Sequence, residues 1–240
     1  MRLVLPLILA VSATFATADT PSSFYSAKKI LAKEVYQNSD RVTFYCGCQY
    51  SEQAVPNKPG RTRLTPAADS CGLKPRKNAN RSGRIEWEHV MPAWEFGHQL
   101  QCWQEGGRKN CRKDPVFKRM EADLYNLVPA VGELNGDRSN YRFGMIAGEP
   151  RAYGQCDFEV DFKARVAEPP EQVRGDIART YFYMAERYGV RLSRKQEQLF
   201  TAWSSLDPVD EAERARARRI QAIQGHPNPF VEPDVMQAKR

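Results

Sequence analysis

Six cysteines constrain the fold of this 240-residue chain more than any other sequence feature. In an exported protein an even number of cysteines favours disulfides, here three, and each bridge joins two points of the chain. Cys102 and Cys111 are expected to pair locally. Cys46 and Cys48 are too close to bond each other easily, so each is expected to pair with one of the remaining two, in an order that the sequence leaves open. Those two are Cys71 and Cys156.

Zinc binding is the alternative interpretation of these cysteines. The sequence Cys46-Gly47-Cys48 has the wrong spacing for a zinc knuckle, and no second close pair follows it. Disulfides are therefore the favoured prediction.

The N-terminus predicts export. Arg2 precedes the short apolar run LVLPLILAVSATFA, and Ala16-Thr17-Ala18 is typical of a signal-peptide cleavage site. We expect a signal peptide over residues 1–18, with a retained membrane anchor as the alternative. No later segment approaches the length of a membrane span. The expected product is a periplasmic or secreted protein without a membrane association.

Hydrophobic periodicity predicts a single α+β domain over residues 19–240, rich in helices towards its C-terminus. Helices are expected at 22–39, 114–126, 169–189, 193–208 and 209–225. Strands are expected at 41–50, where the strand would end in a disulfide-held turn, at 83–89, at 127–130 and within 155–170. Loops are expected at 51–82, at 95–114 as a disulfide-closed excursion, and after Gly225, where the tail is predicted to lie on the surface.

The distribution of positive charge predicts a polyanionic ligand. The chain has 36 Lys and Arg against 29 Asp and Glu. The positive residues gather at 61–63, 74–84 and 107–113, on both sides of the segment GRIEWEHVMPA. Basic loops around one segment favour nucleic acid first and an acidic membrane surface second.

The segment GRIEWEHVMPA contains one of only three histidines, His89. A histidine has an unperturbed pKa near 6.5 and can accept a proton from water without much tuning. Neighbours on a strand point to opposite faces, so Glu88 and His89 can serve one site only where the strand ends. Pro92 supplies such an ending. A buried structural histidine is the alternative.

The segment EADLYNLVPAVGELNGDRSN supplies a second candidate half-site. It concentrates carboxylates, arginine and Asn126, Asn135 and Asn140 beside an apolar run. Amide and carboxylate oxygens without thiols suit Mg²⁺, which keeps several waters and binds substrate phosphate, rather than zinc or copper. Each asparagine could instead form a turn or cap a helix.

Several long motifs carry a family resemblance. GRIEWEHVMPAWEFG, GGRKNC, DLYNLVPAVGELNGDRSNYRF, YGQCDF and EPPEQVRGDIARTYFYM closely resemble the endonuclease I family of bacterial periplasmic or secreted nucleases, over residues 22–232. The resemblance implies a ββα-metal (His-Me finger) core within 83–145. It also implies a non-specific endonuclease that hydrolyses phosphodiester bonds of double- and single-stranded DNA and of RNA, through phosphate-backbone contacts and as a monomer.

The resemblance also implies roles for individual residues. His89 would be the general base of a one-metal mechanism, and Arg108 would stabilise the phosphate and leaving group. Glu88 and Asn135 would bind Mg²⁺, with Mn²⁺ or Ca²⁺ as substitutes. Supporting members of the catalytic set would be Glu121 and Asn126. Relatives commonly carry a further cysteine pair near the C-terminus, which this chain lacks, so the anchoring of its last helix is in doubt.

Three other functions fit the sequence less well. An exported, non-catalytic nucleic-acid-binding protein would not need Glu88 and His89 beside an asparagine-rich segment. A zinc peptidase would require two histidines four residues apart on a helix, whereas His89 and His98 are nine apart. A phosphomonoesterase would fit the metal chemistry but not the flanking positive charge.

Overall fold

A computed structural model describes residues 20–37, 40–148 and 150–232, and the predicted signal peptide lies outside these ranges. The fold mixes helices with small sheets in one domain, as predicted. Its elements are α1 (Phe24–Ile30), β1 (Tyr50–Ala54), β2 (Thr62–Pro66), α2 (Ala79–Ser82), β3 (Ile85–His89), α3 (Ala93–Gly97), α4 (Gln101–Cys111), α5 (Pro115–Ala122), β4 (Leu127–Val131), α6 (Gly132–Arg138), β5 (Arg142–Phe143), β6 (Glu159–Asp161), β7 (Val166–Glu168), α7 (Arg174–Tyr188), α8 (Arg194–Leu206) and α9 (Glu211–Gln224).

Strands β3 and β4 and helix α6 position the candidate site. The two strands pair antiparallel, with Glu88 opposite Val128 and His89 opposite Leu127. All five residues of β4 are buried, which explains its continuous apolar sequence LVPAV. Helix α6 begins directly after β4, where the Gly132 amide donates to the Arg84 carbonyl at 2.9 Å. The strands predicted at 83–89 and 127–130 are confirmed.

Three disulfides tie the chain together, and the prediction of three bridges is confirmed. Cys102 pairs with Cys111, as expected. The open order is now resolved, since Cys46 pairs with Cys156 and Cys48 pairs with Cys71. No cysteine is left free in the described residues.

The C-terminal helices match the sequence prediction closely. Helix α7 buries Ile177, Tyr181 and Met184 along one face, so this stripe belongs to the core. Ser193 caps α8 with a reciprocal capping box, and the Asp210 side chain caps α9. Among the described residues, none of the helices combines the length and the apolar character that crossing a bilayer requires.

Four predictions about loops and strands were wrong. The disulfide-held turn expected within 41–50 is present, but the strand expected before it is not, because Gly47 adopts φ +66° and its amide donates back to the Thr43 carbonyl. Residues 51–82 contain the hairpin of β1 and β2. Residues 95–114 are mainly helical, in α3 and α4. The tail after Gly225 does not lie wholly on the surface, because Val231 is buried in the core.

Candidate active site

A cavity of about 590 Å³ lies beside the end of β3. It brings together four of the predicted site residues: Glu88, His89, Arg108 and Asn135. Glu121 and Asn126 are not among its lining residues. Glu121 contacts His89 and Arg108, which line the cavity, whereas Asn126 contacts Met91, which does not. The rest of the lining includes Phe24, Lys28, Arg81, Ile85, Glu86, Trp87, Pro92, Ala93, Arg138 and Ser139.

The ring of His89 is buried and fixed in orientation. Its Nε2 lies 2.9 Å from the carbonyl oxygen of Glu121, and Phe24 packs against the ring with centroids 4.7 Å apart. A carbonyl only accepts, so Nε2 carries the proton and donates, which leaves the lone pair on Nδ1. Burial lowers the pKa of His89 to about 3. The ring is therefore neutral near pH 7, and Nδ1 carries a lone pair and no proton.

Glu88 contacts a different part of the fold from His89, as strand geometry requires. Tyr45 donates its hydroxyl to Glu88 Oε1 at 3.2 Å, and Arg138 Nη1 lies 3.1 Å from the same oxygen. Burial raises the pKa of Glu88 to about 7, although the charge of Arg138 opposes this shift. Because β3 ends at His89, both neighbours still line one cavity.

Arg138, which sequence reasoning left without a role, fastens the end of β3. Its guanidinium is fully buried and donates to the carbonyls of His89 at 3.1 Å and Val90 at 2.7 Å. The same group pairs with Glu88 and lies over the ring of Phe143 at 4.4 Å. Arg138 lies three residues after Asn135 on a helix. This spacing could have indicated that both residues share the face of α6 that is turned to the site.

Glu121 connects two predicted site residues. Its carbonyl accepts from His89, and its carboxylate binds Arg108, with Oε1 2.9 Å from Nε and 2.8 Å from Nη2. Arg108 follows a break in α4 at Gly106 and Gly107, where Gly107 adopts φ +61°. The break turns the chain so that Arg108 reaches Glu121 and the cavity.

Asn126 is buried and acts on the backbone that follows β3. Its Oδ1 accepts from the Met91 amide at 2.7 Å, and its Nδ2 donates to the Met91 carbonyl at 3.0 Å. These two bonds fix the turn between β3 and Pro92. The structure thus gives Asn126 contacts that position His89 and none with the cavity.

Glu86 is a site residue that sequence reasoning missed. It lies two residues before Glu88, and side chains two apart on a strand share a face, so the spacing could have revealed it. Its carboxylate accepts from Asn135 Nδ2 at 3.0 Å and pairs with Arg81 at 2.7 Å and Arg84 at 2.8 Å. Since the amide NH₂ of Asn135 is used here, its oxygen is the atom suited to bind a cation.

The donor set of the cavity suits a hard cation. Glu86, Glu88 and Asn135 offer carboxylate and amide oxygens. The negative charge of Glu86 raises the pKa of Glu88 further. Among the described residues no three His, Cys, Asp or Glu side chains cluster as metal ligands. An ion held here would need water and substrate oxygens to complete its coordination shell. Mg²⁺ in proteins is usually coordinated in this way.

Comparisons with known proteins show which family the chain resembles. The model of the Endonuclease I family matches residues 23–234. An extracellular deoxyribonuclease of Aeromonas hydrophila is 52% identical over 231 residues, which cover 96% of each chain. A periplasmic deoxyribonuclease of the same species is also 52% identical, over 96% of this chain and 93% of its own. Endonuclease-1 of Buchnera aphidicola is 46% identical, over 88% and 81%.

Proposed function

Because this chain belongs to the endonuclease I family and is a nuclease, we propose that it is a non-specific, magnesium-dependent endonuclease of DNA and RNA. The observation that carries the proposal is a neutral His89 held by the Glu121 carbonyl in the same cavity as Glu88 and Asn135. Family membership removes the rival of a non-catalytic nucleic-acid-binding protein.

The fold supports a ββα-metal assignment. Strands β3 and β4 form an antiparallel pair, and α6 follows β4 without a loop. His89 lies at the end of the first strand, and Asn135 lies in the helix. Two elements that are distant in sequence thus contribute the proposed base and one proposed ligand to one cavity.

In the proposed reaction His89 Nδ1 accepts a proton from the water that attacks the phosphate. The Glu121 carbonyl keeps the proton on Nε2 and so fixes the correct tautomer. Arg108 has a side chain that is 40% exposed, and it donates to the phosphate while Glu121 orients it. Glu121 and Asn126 act as positioning residues.

Glu88 and Asn135 would hold the magnesium ion. When bound, the ion supplies positive charge that stabilises the departing 3′ oxygen of the phosphodiester. The guanidinium of Arg138 holds Glu88 in position. The carboxylate of Glu86 holds Asn135 in position by accepting from its side-chain amide.

Contacts with nucleic acid are proposed to be chiefly with phosphates. Lys28, Arg81 and Arg108 line the catalytic cavity. A neighbouring cavity of about 510 Å³ shares Lys28 and adds further basic side chains, which are Lys29, Lys33, Arg41 and Arg63. Phosphate contacts carry no sequence information, so the affinity should fall steeply with salt and hardly vary with sequence.

We also assign the protein to the periplasm or the extracellular space, as a monomer. The Aeromonas relatives are named extracellular and periplasmic. Three disulfides form and persist in an oxidising compartment.

The test compares single-turnover cleavage of plasmid DNA and of RNA with binding and magnesium titration. His89→Ala removes the proton acceptor and should reduce the rate by about 10²–10⁴, while DNA binding persists. Glu88→Gln and Asn135→Ala should weaken magnesium binding, and high magnesium should partly restore their rates. EDTA should abolish cleavage by the wild-type protein.

Glu197→Gln, an exposed change on α8, is the matched control and should cut DNA at the wild-type rate. A His89→Ala protein that cleaves DNA nearly as fast as wild type would contradict the assignment of the base. So would a His89→Ala defect that magnesium alone repairs. Wild-type cleavage that persists in EDTA would contradict the metal requirement.

A further inference from the structure

A second cavity, of about 680 Å³, shares no lining residue with the catalytic cavity. It has a mixed aromatic and basic lining that the reaction described above does not use. Its lining includes Trp94, His98, Asn140, Arg142, Arg191 and Lys195.

Trp94 and His98 form an aromatic platform in this second cavity. Their rings stack with centroids 4.2 Å apart and planes only 10° apart. His98 Nδ1 bonds to the Trp94 carbonyl at 2.8 Å, which fixes the orientation of the imidazole. Trp94 is 45% exposed, although a tryptophan is usually highly buried. The two rings cover each other's inner faces, and the exposed Trp94 keeps aromatic surface open to solvent.

The platform is continuous with the catalytic cavity. A third cavity, of about 490 Å³, shares Arg108 and Asn135 with the catalytic cavity and shares Trp94 and Asn140 with the second. Trp94 also follows directly on Pro92 and Ala93, which line the catalytic cavity. A strand that leaves the reacting phosphate in this direction meets the platform within the same groove.

The positively charged side chains around the platform are exposed and can contact a ligand. Arg142, Arg191 and Lys195 are exposed, and none of them forms an ion pair with a residue of the described ranges. The one acid in the lining, Glu95, accepts from the Tyr181 hydroxyl at 2.8 Å and from the amide of Gln196. The cavity thus presents three cations to solvent beside a flat aromatic pair.

We propose that Trp94 and His98 stack an unpaired nucleobase of the substrate strand, and that Arg142, Arg191 and Lys195 hold the phosphates on either side of it. This inference rests on the proposed function in that the ligand is a nucleic acid. Aromatic faces bind any base by stacking, and flanking cations follow the backbone. A base inside a duplex has both faces covered by its neighbours, so the platform selects single-stranded segments.

The test measures equilibrium binding in EDTA, where cleavage does not interfere. The two probes are a fluorescein-labelled single-stranded oligonucleotide of about 12 nucleotides and a blunt-ended duplex without a loop. Trp94→Ala should weaken binding of the single strand about 5- to 150-fold, the effect of losing one stacked base. Trp94→Phe should recover most of the affinity, and the duplex should bind either variant as it binds wild type.

Leu206→Ala and Arg194→Ala serve as controls, the second of them for the test variant Lys195→Ala. Leu206→Ala removes a large exposed apolar side chain outside the cavity and should change neither affinity. Lys195→Ala should lower the salt dependence of single-strand binding, whereas Arg194→Ala, a neighbouring charge that does not line the cavity, should lower it less.

Two results would overturn the platform: wild-type affinity of Trp94→Ala for the single strand, or an equal loss for the single strand and the duplex. Plasmid and RNA cleavage by the wild-type protein in magnesium separates this inference from the proposed function. If the wild type cleaves but Trp94→Ala binds the single strand normally, only the platform is wrong. If the wild type binds the single strand through Trp94 but never cleaves, only the nuclease proposal is wrong.

Discussion

Arg138 is a buried cation that contacts Glu88, the end of β3 and the ring of Phe143. It forms an ion pair with Glu88 and supplies donors to two carbonyls at the end of β3. A buried pair of this kind gains little over an apolar pair, but removal of one partner leaves the other charge unpaired in a medium of low dielectric. The cost of losing Arg138 should therefore exceed the value of any one of its bonds.

Arg138→Met tests this at the level of one residue. The variant should lose about 3–5 kcal/mol of unfolding free energy, because Glu88 and two buried carbonyls lose their partners. The measurement is the urea midpoint in EDTA. Arg119→Met, an exposed change on α5, is the control and should shift the unfolding free energy by less than about 0.5 kcal/mol. Equal midpoints for the two variants would refute the role of Arg138.

Some site residues could be predicted from the sequence, and others could not. His89 and Glu88 follow from a strand that ends at a proline, and Asn135 was taken from the family resemblance. The carboxylates around Asn135 were a misleading signal for the site, because two of them bind elsewhere. Glu133 accepts from the backbone amides of residues 76–78, and Asp137 pairs with Arg76. These carboxylates anchor a basic loop from a different part of the chain. Sequence spacing cannot reveal such long-range contacts.

At the scale of elements, an ion pair joins α7 to α9. Arg179 binds Glu213 with Nη2 to Oε2 at 2.6 Å, and both side chains are almost fully buried. Arg179 Nη1 also donates to the Asp207 carbonyl at 2.8 Å, which links α7 to the end of α8. Burial raises the pKa of Glu213 above its ordinary value of 4.5, although Arg179 opposes the shift. The doubt about how the last helix is anchored is answered by this pair.

The raised pKa of Glu213 predicts a pH-dependent contribution to stability. Below the unfolded-state pKa both states are protonated. As the pH rises the unfolded state loses its proton first, so stability falls until the folded-state pKa is passed. Glu213→Gln lacks this loss, so its urea midpoint relative to wild type should rise as the pH increases above the unfolded-state pKa of a glutamate, about 4.3. Glu211→Gln, exposed in the same turn, should run parallel to wild type, and a parallel Glu213→Gln profile would disprove the shift.

The elements that the sequence predicted well are those with local causes. Helices α5, α8 and α9 carry their own caps at Asp114, Ser193 and Asp210. The errors fell where tertiary contacts decide. The hairpin of β1 and β2 is largely exposed and lacks a buried alternating face, so its sequence resembles a loop. The turn at Thr43 carries strand-like residues, but two disulfides and Gly47 bend it back.

For the whole molecule, the three disulfides should differ in their contribution to stability. They span sequence separations of 9, 23 and 110 residues. Loop entropy predicts about 3 kcal/mol for a 15-residue loop and about 4.7 kcal/mol for a 100-residue loop. Paired Cys→Ala variants should therefore lose most stability for Cys46–Cys156 and least for Cys102–Cys111, as read from urea unfolding. The reverse order would argue against an entropic origin.

The bridge between Cys46 and Cys156 also determines what a single cut does to the molecule. It encloses every proposed catalytic and metal-binding residue, from Glu88 to Asn135. A peptide bond broken anywhere between the two cysteines yields two pieces that are still covalently joined, and no piece that carries part of the site can diffuse away. A single nick within this region therefore damages the chain without releasing any part of the site from the molecule.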